Sequence, residues 1–494
     1  MDKPRLQSAS FIVSQQQMNL DMEIFPFDIW GTTVHVLMLF KAGIIDKGQA
    51  KVCLKALTEI KKEIQEDKFR IDPEKGAQLT LEAELVKRAG EAAHSVHTGR
   101  SRNDQVMVAE LLYLREQMLS AAGGVVSLAE ELFKLAVVHN QTIMPGYTHM
   151  QPGKITTVGQ WALSYLNGFL RTLGTVQYYL DLYDMNPLGA CESYGTSWPL
   201  DREFTAEILG FAKVWEMPQD AISSRGFAQL GYLAALSEIC LVASKLNEDL
   251  ILFNTFEYGM VELGDEVSQR MHPITGSSVM AQKKNPDILE IIRSTTPQVI
   301  GFWSIVANTL SSLPMGYNRD GRESKEYIHL GLIKTNSVVS SLQKVISTLR
   351  INEQRMLDLA VSNYSLTTDL ADYISQKTKI GYRQVYKIIG QIVDKAIEKG
   401  KPLDRITATE IMQAADDLDL KIEVSDEEIA QALDPKLVIA KRNNVGGSSP
   451  TVMNKLLDEA GKNIGKQLSR IQQKQTIIKN ASQETDRLVK EVIS

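Results

Sequence analysis

The chain has 494 residues, with 54 lysines and arginines against 60 aspartates and glutamates, for a formal charge of −6. At about 150 residues per domain this length holds roughly three domains, and the mild acidity offers no broad basic surface to a nucleic acid. Three cysteines, Cys53, Cys191 and Cys240, are far apart and odd in number, so neither a disulfide framework nor a zinc signature is present.

The chain opens on Met1-Asp2-Lys3-Pro4 without the apolar core of a signal peptide, which makes the cytoplasm the expected location. Residues 1–98 are expected to form an N-terminal helical cap carrying part of a site. The cap ends in His97-Thr98-Gly99-Arg100-Ser101-Arg102-Asn103-Asp104-Gln105, ahead of a long helix. This turn gathers two arginines, hydroxyls and the amide of Asn103. Arg102 offers a planar fork to a carboxylate, and helix N–H groups add anion affinity. Read alone, the turn serves equally well as an N-cap with solvated arginines.

Residues 99–349 are expected to form a central helical bundle. Val125, Leu128, Leu132 and Leu135 recur at intervals of three and four. So do Leu166, Leu170, Leu173, Val176, Leu180 and Tyr183, and later Leu233, Leu236, Cys240, Ala243, Leu246, Leu250 and Phe253. Such near-heptad seams mark long antiparallel bundle helices. Strand alternation is scarce. Between the first two seams, the turn 144–151 ends in Thr148-His149-Met150-Gln151. Thr148 can bond a carboxylate, and His149 can act as a general acid or relay near neutral pH, although a lone histidine is more often structural.

Three stretches, 155–170, 226–237 and 294–318, carry no charge. The last is long enough to raise the question of a membrane span. It contains Pro297, Gln298, Asn308, Ser311, Ser312 and Pro314, so no membrane partner is expected. Helices enclosed by protein on nearly every side are the better account. One chain can hardly wrap three of them, which points to packing against copies in an oligomer.

The segment Gly276 to Pro286 reads as a loop ending at a helix N-terminus. Ser277 there neighbours Lys283, Lys284 and Asn285. Positive potential lowers a serine's pKa and suits removal of a proton from carbon beside a carboxylate. A plain Gly-Ser turn is the commoner role of such a triplet. Leu313 to Glu326 supplies Tyr317, Asn318, Arg319, Asp320, Arg322 and Lys325, either a wet cleft wall or a helix-end surface. Beyond Leu349 the helices become shorter and more charged, so 350–494 is expected as a C-terminal helical domain. Its last ~40 residues, rich in Lys, Gln and Glu, are expected to form a helix that is exposed or bound to a partner. His35, His94, His139, His272 and His329 show no metal-ligand spacing. No phosphate or dinucleotide glycine motif occurs, so neither metal nor cofactor is expected.

HTGRSRNDQV at 97–106, PGYTHMQ at 145–151 and GSSVMAQKKNPD at 276–287 together resemble the argininosuccinate lyase family of the fumarase/aspartase superfamily. PLGACESYGTSWPLDR at 187–202, NEDLILFNT at 247–255, LPMGYNRD at 313–320, LADYI at 370–374 and the Gly-Gly-x-x-Pro turn at 446–450 extend the resemblance to about residue 455. It implies an all-α fold, a long central bundle flanked by two smaller helical domains. The implied assembly is a homotetramer whose active sites are each built from three subunits. The implied reaction is elimination across a C–N bond with release of fumarate. Ser277 is then the base and His149 the partner acid or relay. Lys283 and Asn285 hold the carboxylate of the carbanion-like intermediate, and Asn103, Thr148, Tyr317 and Lys325 bind substrate.

The chain departs from the family pattern at several points. Lys75-Gly76-Ala77-Gln78 replaces an acidic E-D-x-H segment, and Gln17 stands at a substrate-binding serine. Arg322 replaces a glutamine, Ser224-Arg225-Gly226 an Asp-Arg-Asp, and Ala281 a proline. The run Gln269 to Thr275 is longer than usual. The fumarate side is intact, whereas residues facing the amine half are altered. Gly76 and Arg322 both move local charge in the positive direction, and Arg322 could bind an extra carboxylate on the amine half. The leading expectation is a lyase acting on argininosuccinate. A relative that cleaves another N-substituted aspartate, such as ethylenediamine-disuccinate, comes second. An inactive structural homologue of the delta-crystallin kind comes third, and the retained Ser277, His149, Lys283 and Asn285 weigh against it.

Overall fold

The computed structural model describes residues 14–494. The opening Met1–Pro4, on which the reading of a missing signal peptide rests, and the first part of the expected 1–98 cap lie outside the described residues. The cap consists of α1 (Gln15–Lys41), α2 (Lys47–Gln65) and α3 (Gly76–Ala89), followed by a 3₁₀ turn at Gly90–His97. Asp46 opens α2 with a reciprocal capping box to Gln49, which satisfies two otherwise orphaned N–H groups. Phe25, Met38, Leu54, Leu57, Ile60 and Leu81 form the cap's core.

Five long helices make the bundle: α4 (Arg102–Val138), α5 (Val158–Leu182), α8 (Phe227–Phe253), α9 (Asp287–Leu310) and α10 (Ser324–Thr348). Between α5 and α8 lie the short α6 (Arg202–Ile208) and α7 (Pro218–Ser223). Each bundle helix packs on the next, and α10 closes the ring against α4 and α8. The sequence seams are the buried faces. On α8, Leu233, Leu236, Ile239, Cys240, Ala243, Leu246 and Leu250 are all fully buried. By length and composition α8 is apolar enough to cross a membrane, but its apolar residues are spent on the centre of the bundle. The enclosure is partial, since Phe227 and Leu241 on α8 stay exposed. On α9, whose part from Ser294 onward carries no charge, Ile291, Trp303 and Ile305 are exposed.

The fold is all-α apart from short pairings, the longest among the described residues being a hairpin that the sequence reading took for a plain turn. Its strands β1 (Ile143–Thr148) and β2 (Gln151–Thr157) pair antiparallel, with Thr148 opposite Gln151. His149 and Met150 form the two-residue connection with φ of 53° and 61°. Two consecutive positive φ values match the twist of a tight hairpin. Pro145 and Gly146 sit at a register irregularity and break the alternation a strand is recognised by.

The C-terminal region divides in two. Helices α11 (Glu353–Ser362), α12 (Thr367–Thr378), α13 (Tyr382–Glu398), α14 (Ala408–Asp416), α15 (Asp426–Ala432) and α16 (Pro435–Lys441) surround a core that includes Leu370, Ile374, Ile388 and Ile411, together with Ile143 and Ile155 of the hairpin. The last helix, α17 (Pro450–Ile493), leaves that core and packs along α4 and α5. Met453, Leu457, Ala460 and Ile464 join the bundle core, while Val489 and Val492 join the cap's. The expected exposed or partner-bound tail is thus a strap across the chain's own bundle, with its charged face and a few apolar residues, Ile477 among them, in solvent.

Candidate active site

The residues singled out from the sequence fall at opposite ends of the bundle. At one end lie the starts of α4, α8 and α10. Ser101 caps α4 in a capping box with Asp104. The second oxygen of the Asp104 carboxylate accepts the N–H of Gly189 at 2.9 Å and of Cys191 at 3.0 Å. Burial pushes its pKa up to about 6. Through Asp104 the loop at 187–196 is tied to the start of α4, where Asn103 also reaches the Glu192 carbonyl at 3.5 Å. The two arginines of the motif separate. Arg100 is buried and donates to Thr32 Oγ1 at 3.0 Å. Arg102 is exposed and lines a small cavity with Gln78, Glu82 and His97.

Tyr317, Arg322 and Lys325 lie at the same end. Arg225 stands over the Tyr317 ring at 5.7 Å and donates to Glu110 Oε1 at 2.9 Å. Gln229 donates to Glu110 Oε2 at 3.1 Å. Lys325 is buried and paired with Asp21 of α1. Arg322 is half-buried in a 3₁₀ turn, Arg319–Glu323. Burial lowers its pKa, against the field of Asp21 and with that of Arg319 and Arg225. Two of the departures from the family pattern make internal bonds here. Gln17 donates to both carboxylate oxygens of Glu323, at 3.2 and 3.3 Å. Gln78 donates at 3.1 Å to the buried Asp28, which also receives Gln105 at 2.8 Å.

At the other end lie Ser277, Lys283, Asn285 and the hairpin carrying Thr148 and His149. The Ser277 loop leaves the end of α8 and enters α9, where Asn247 donates to the Leu289 carbonyl at 2.9 Å. A single bridge between Gly276 and Lys284 pins the loop's base. The Ser277 Oγ accepts the N–H of Met280 at 2.9 Å and of Val279 at 3.2 Å. Hydrogen bonds directed at an oxygen favour its anionic form, a part expected of N–H groups alongside the lysines. Lys284 does not contribute, because its ammonium lies 3.0 Å from both Glu262 and Asp265. Lys283 and Asn285 line an open cavity of about 1200 Å³ that also presents Arg270, Arg350 and Arg355. The hairpin reaches this end through Tyr147, whose ring lies 6.2 Å from Phe253 and 5.7 Å from Tyr258. Among the described residues no hydrogen bond joins His149 to Ser277. His149 and Thr148 are exposed at the tip.

The two ends are separated by the 27 residues of α8, roughly 40 Å at 1.5 Å per residue. A single chain therefore does not bring Ser277 to Asn103, Tyr317 or Lys325. Glu110 is not picked out by any sequence motif, and Arg225 stands there only as the middle of Ser224-Arg225-Gly226. Glu110 offers one signal, a carboxylate flanked on α4 by Met107, Val108, Leu111 and Leu112, all buried.

The family models and the curated relatives agree on one family. A lyase family model matches residues 11–301, and the C-terminal model of argininosuccinate lyase matches residues 364–440. The argininosuccinate lyase of Methanocaldococcus jannaschii is 33% identical over 93% of this chain and 94% of its own length. That of Carboxydothermus hydrogenoformans is 34% identical over 90% and 94%. Among solved structures, EDDS lyase in complex with formate is 25% identical, covers 100% of this chain and 97% of its own, and superposes with a TM-score of 0.87. The class II fumarase of Schistosoma mansoni shares the fold, with a TM-score of 0.69 at 18% identity over 89% and 96% of the two chains.

Proposed function

The chain belongs to the argininosuccinate lyase family of the fumarase/aspartase superfamily, carbon–nitrogen lyases, and we propose that it releases fumarate from argininosuccinate at sites shared between the subunits of a homotetramer. In this reading Ser277 takes the Cβ proton. Charge then moves onto the neighbouring carboxylate, where Lys283 and Asn285 meet it as preorganised donors. His149, from another subunit, supplies or relays the proton that the departing nitrogen needs. Thr148, Asn103, Tyr317 and Lys325 hold the substrate. No metal or cofactor takes part, and the enzyme works in the cytoplasm, in keeping with three free, buried cysteines.

The observation that carries the reading is the distribution of these residues over two ends of one long bundle. Only a second copy, placed with its opposite end alongside, can complete such a site. The bare apolar face of α9 supports the same assembly. Light scattering at micromolar concentration is expected to give the mass of four chains, and a stable monomer would overturn the shared site. The activity itself is tested by offering argininosuccinate and watching for fumarate absorbance. A protein of the structural, crystallin-like kind would produce none from any N-substituted aspartate.

Arg322 favours a second reading, an aminopolycarboxylate substrate, and the likeness to EDDS lyase supports it. A guanidinium on the substrate is repelled by a positive wall, whereas a carboxylate gains a fork-shaped partner. On this reading ethylenediamine-disuccinate outperforms argininosuccinate, and Arg322→Gln narrows the gap by about tenfold. A wild-type kcat/KM for argininosuccinate of about 10⁴ M⁻¹s⁻¹ or above, the ordinary range for an enzyme on its own substrate, removes this second reading and leaves the first.

A further inference from the structure

A second cleft, of about 730 Å³, opens between the hairpin and the C-terminal helices, and none of its lining residues has been given a role in the elimination. Its walls carry three cations, Lys154, Lys441 and Arg442, and two carboxylates, Asp369 and Asp372. The carboxylates are already matched. Arg442 donates to both oxygens of Asp369 at 3.0 Å, and Lys154 bonds Asp372 at 2.8 Å. Lys441 is left over, exposed, with the Tyr373 ring 5.3 Å away.

One wall is the turn Asn444 to Ser448 leading into α17. Gly446 has φ of 79°. At Gly447 a side chain would lie 2.0 Å from the Arg442 carbonyl oxygen, so only glycine permits this close turn. Ser449 caps α17, and Pro450 is its first residue. The turn runs into the amino end of a 44-residue helix, whose partial positive charge favours an anion nearby, although Pro450 has no N–H and those of Val452 and Met453 are bonded to Ser449. A second, independent sign is Ser448. It lines the cleft, is 1% exposed, and its hydroxyl has no hydrogen-bond partner. An unpaired buried hydroxyl is costly, so one at the wall of a cleft marks a place where a ligand's oxygen could complete the set.

We propose that this cleft is an effector site for a small anionic metabolite, held through a phosphate or carboxylate group by Lys441 and Ser448 in the field of the amino end of α17. The cleft's size suits a metabolite. Its occupant bears on the hairpin that presents His149, because Arg442 also donates to the Ile155 carbonyl and Gln160 holds the Gly446 carbonyl at 2.7 Å. The proposal stands independently of the reaction assigned above.

The test is calorimetric titration of the full-length protein with inorganic phosphate and, separately, with succinate. Saturable binding of at least one probe is expected, and the stronger of the two identifies the group preferred. Lys441→Gln, at an exposed position, is expected to weaken it by about tenfold, the usual worth of a bond to a charged donor. Ser448→Ala should weaken it less, and Lys283→Ala, in the cavity at Ser277, should leave it unchanged. Three results would overturn the proposal: no saturable binding of either probe, binding that survives Lys441→Gln, or binding abolished by Lys283→Ala alone. If Ser448→Ala fails to fold, the Lys441 and Lys283 variants decide.

Discussion

Replacing Ser277 with alanine is expected to lower fumarate release by about 10²-fold or more, the contribution of a positioned general base, while leaving folding and assembly intact. The serine is half-buried in a largely exposed loop, and its oxygen accepts two backbone N–H groups, from Val279 and Met280. Neither bond holds a helix or a core in place, so the loss should appear in kcat and not in stability. Amides aimed at one oxygen are the means by which a protein makes an alcohol acidic without a fixed charge. Lys284 cannot provide that charge, tied as it is to Glu262 and Asp265. The check is steady-state fumarate absorbance on wild type and variant, with circular dichroism and light scattering on both. A variant retaining more than about a tenth of wild-type turnover would remove Ser277 as the base, since such a loss falls below the range for general-base catalysis.

The largest effect on stability is expected from Glu110→Ala. Glu110 and Arg225 are 4% and 7% exposed in their side chains, and Gln229 completes the arrangement on the second oxygen. Removing the carboxylate strands a buried guanidinium whose Nε already has no partner. Breaking one side of a buried pair costs about 3–5 kcal/mol. Urea unfolding at a fixed protein concentration reads the loss, the concentration being held because assembly contributes to stability. Glu110→Gln keeps the acceptor and the shape, and is expected to fall between alanine and wild type. A loss below about 1 kcal/mol, the range of exposed pairs, would mean that the site is hydrated and the pair a surface one. Arg225 also stands over Tyr317, so the alanine variant should raise KM as well.

The bundle was readable because its helices are long and their seams regular. Leu233 to Phe253 repeats at three and four residues, and these positions are buried in α8. The hairpin was not readable, because Pro145 and Gly146 interrupt its alternation and its connection uses His149 and Met150 where Asn or Gly would have signalled a two-residue turn. The course of α17 was hidden for a different reason. Its exposed face is charged, and its thin apolar stripe finds partners on α4 and in the cap that no local pattern announces. At the site, motif-length segments marked Ser277, His149 and Asn103. What surrounds them was out of reach, since Arg225 meets Glu110 across 115 positions of sequence and Lys284 is neutralised by residues 19 and 22 positions away. Pairings at such distances depend on the packing of whole helices.

The claim that sites are assembled between copies is tested most directly by mixing two damaged proteins. Ser277→Ala removes the base at one end of the bundle, and Asn103→Ala removes a substrate contact at the other. Each alone is expected to release fumarate slowly. Co-expressed, so that mixed tetramers form, they are expected to recover activity well above the sum of the two, because some sites then draw an intact Ser277 from one chain and an intact Asn103 from another. Activity that stays at the sum of the separate variants, in tetramers shown to contain both chains, would contradict the shared site.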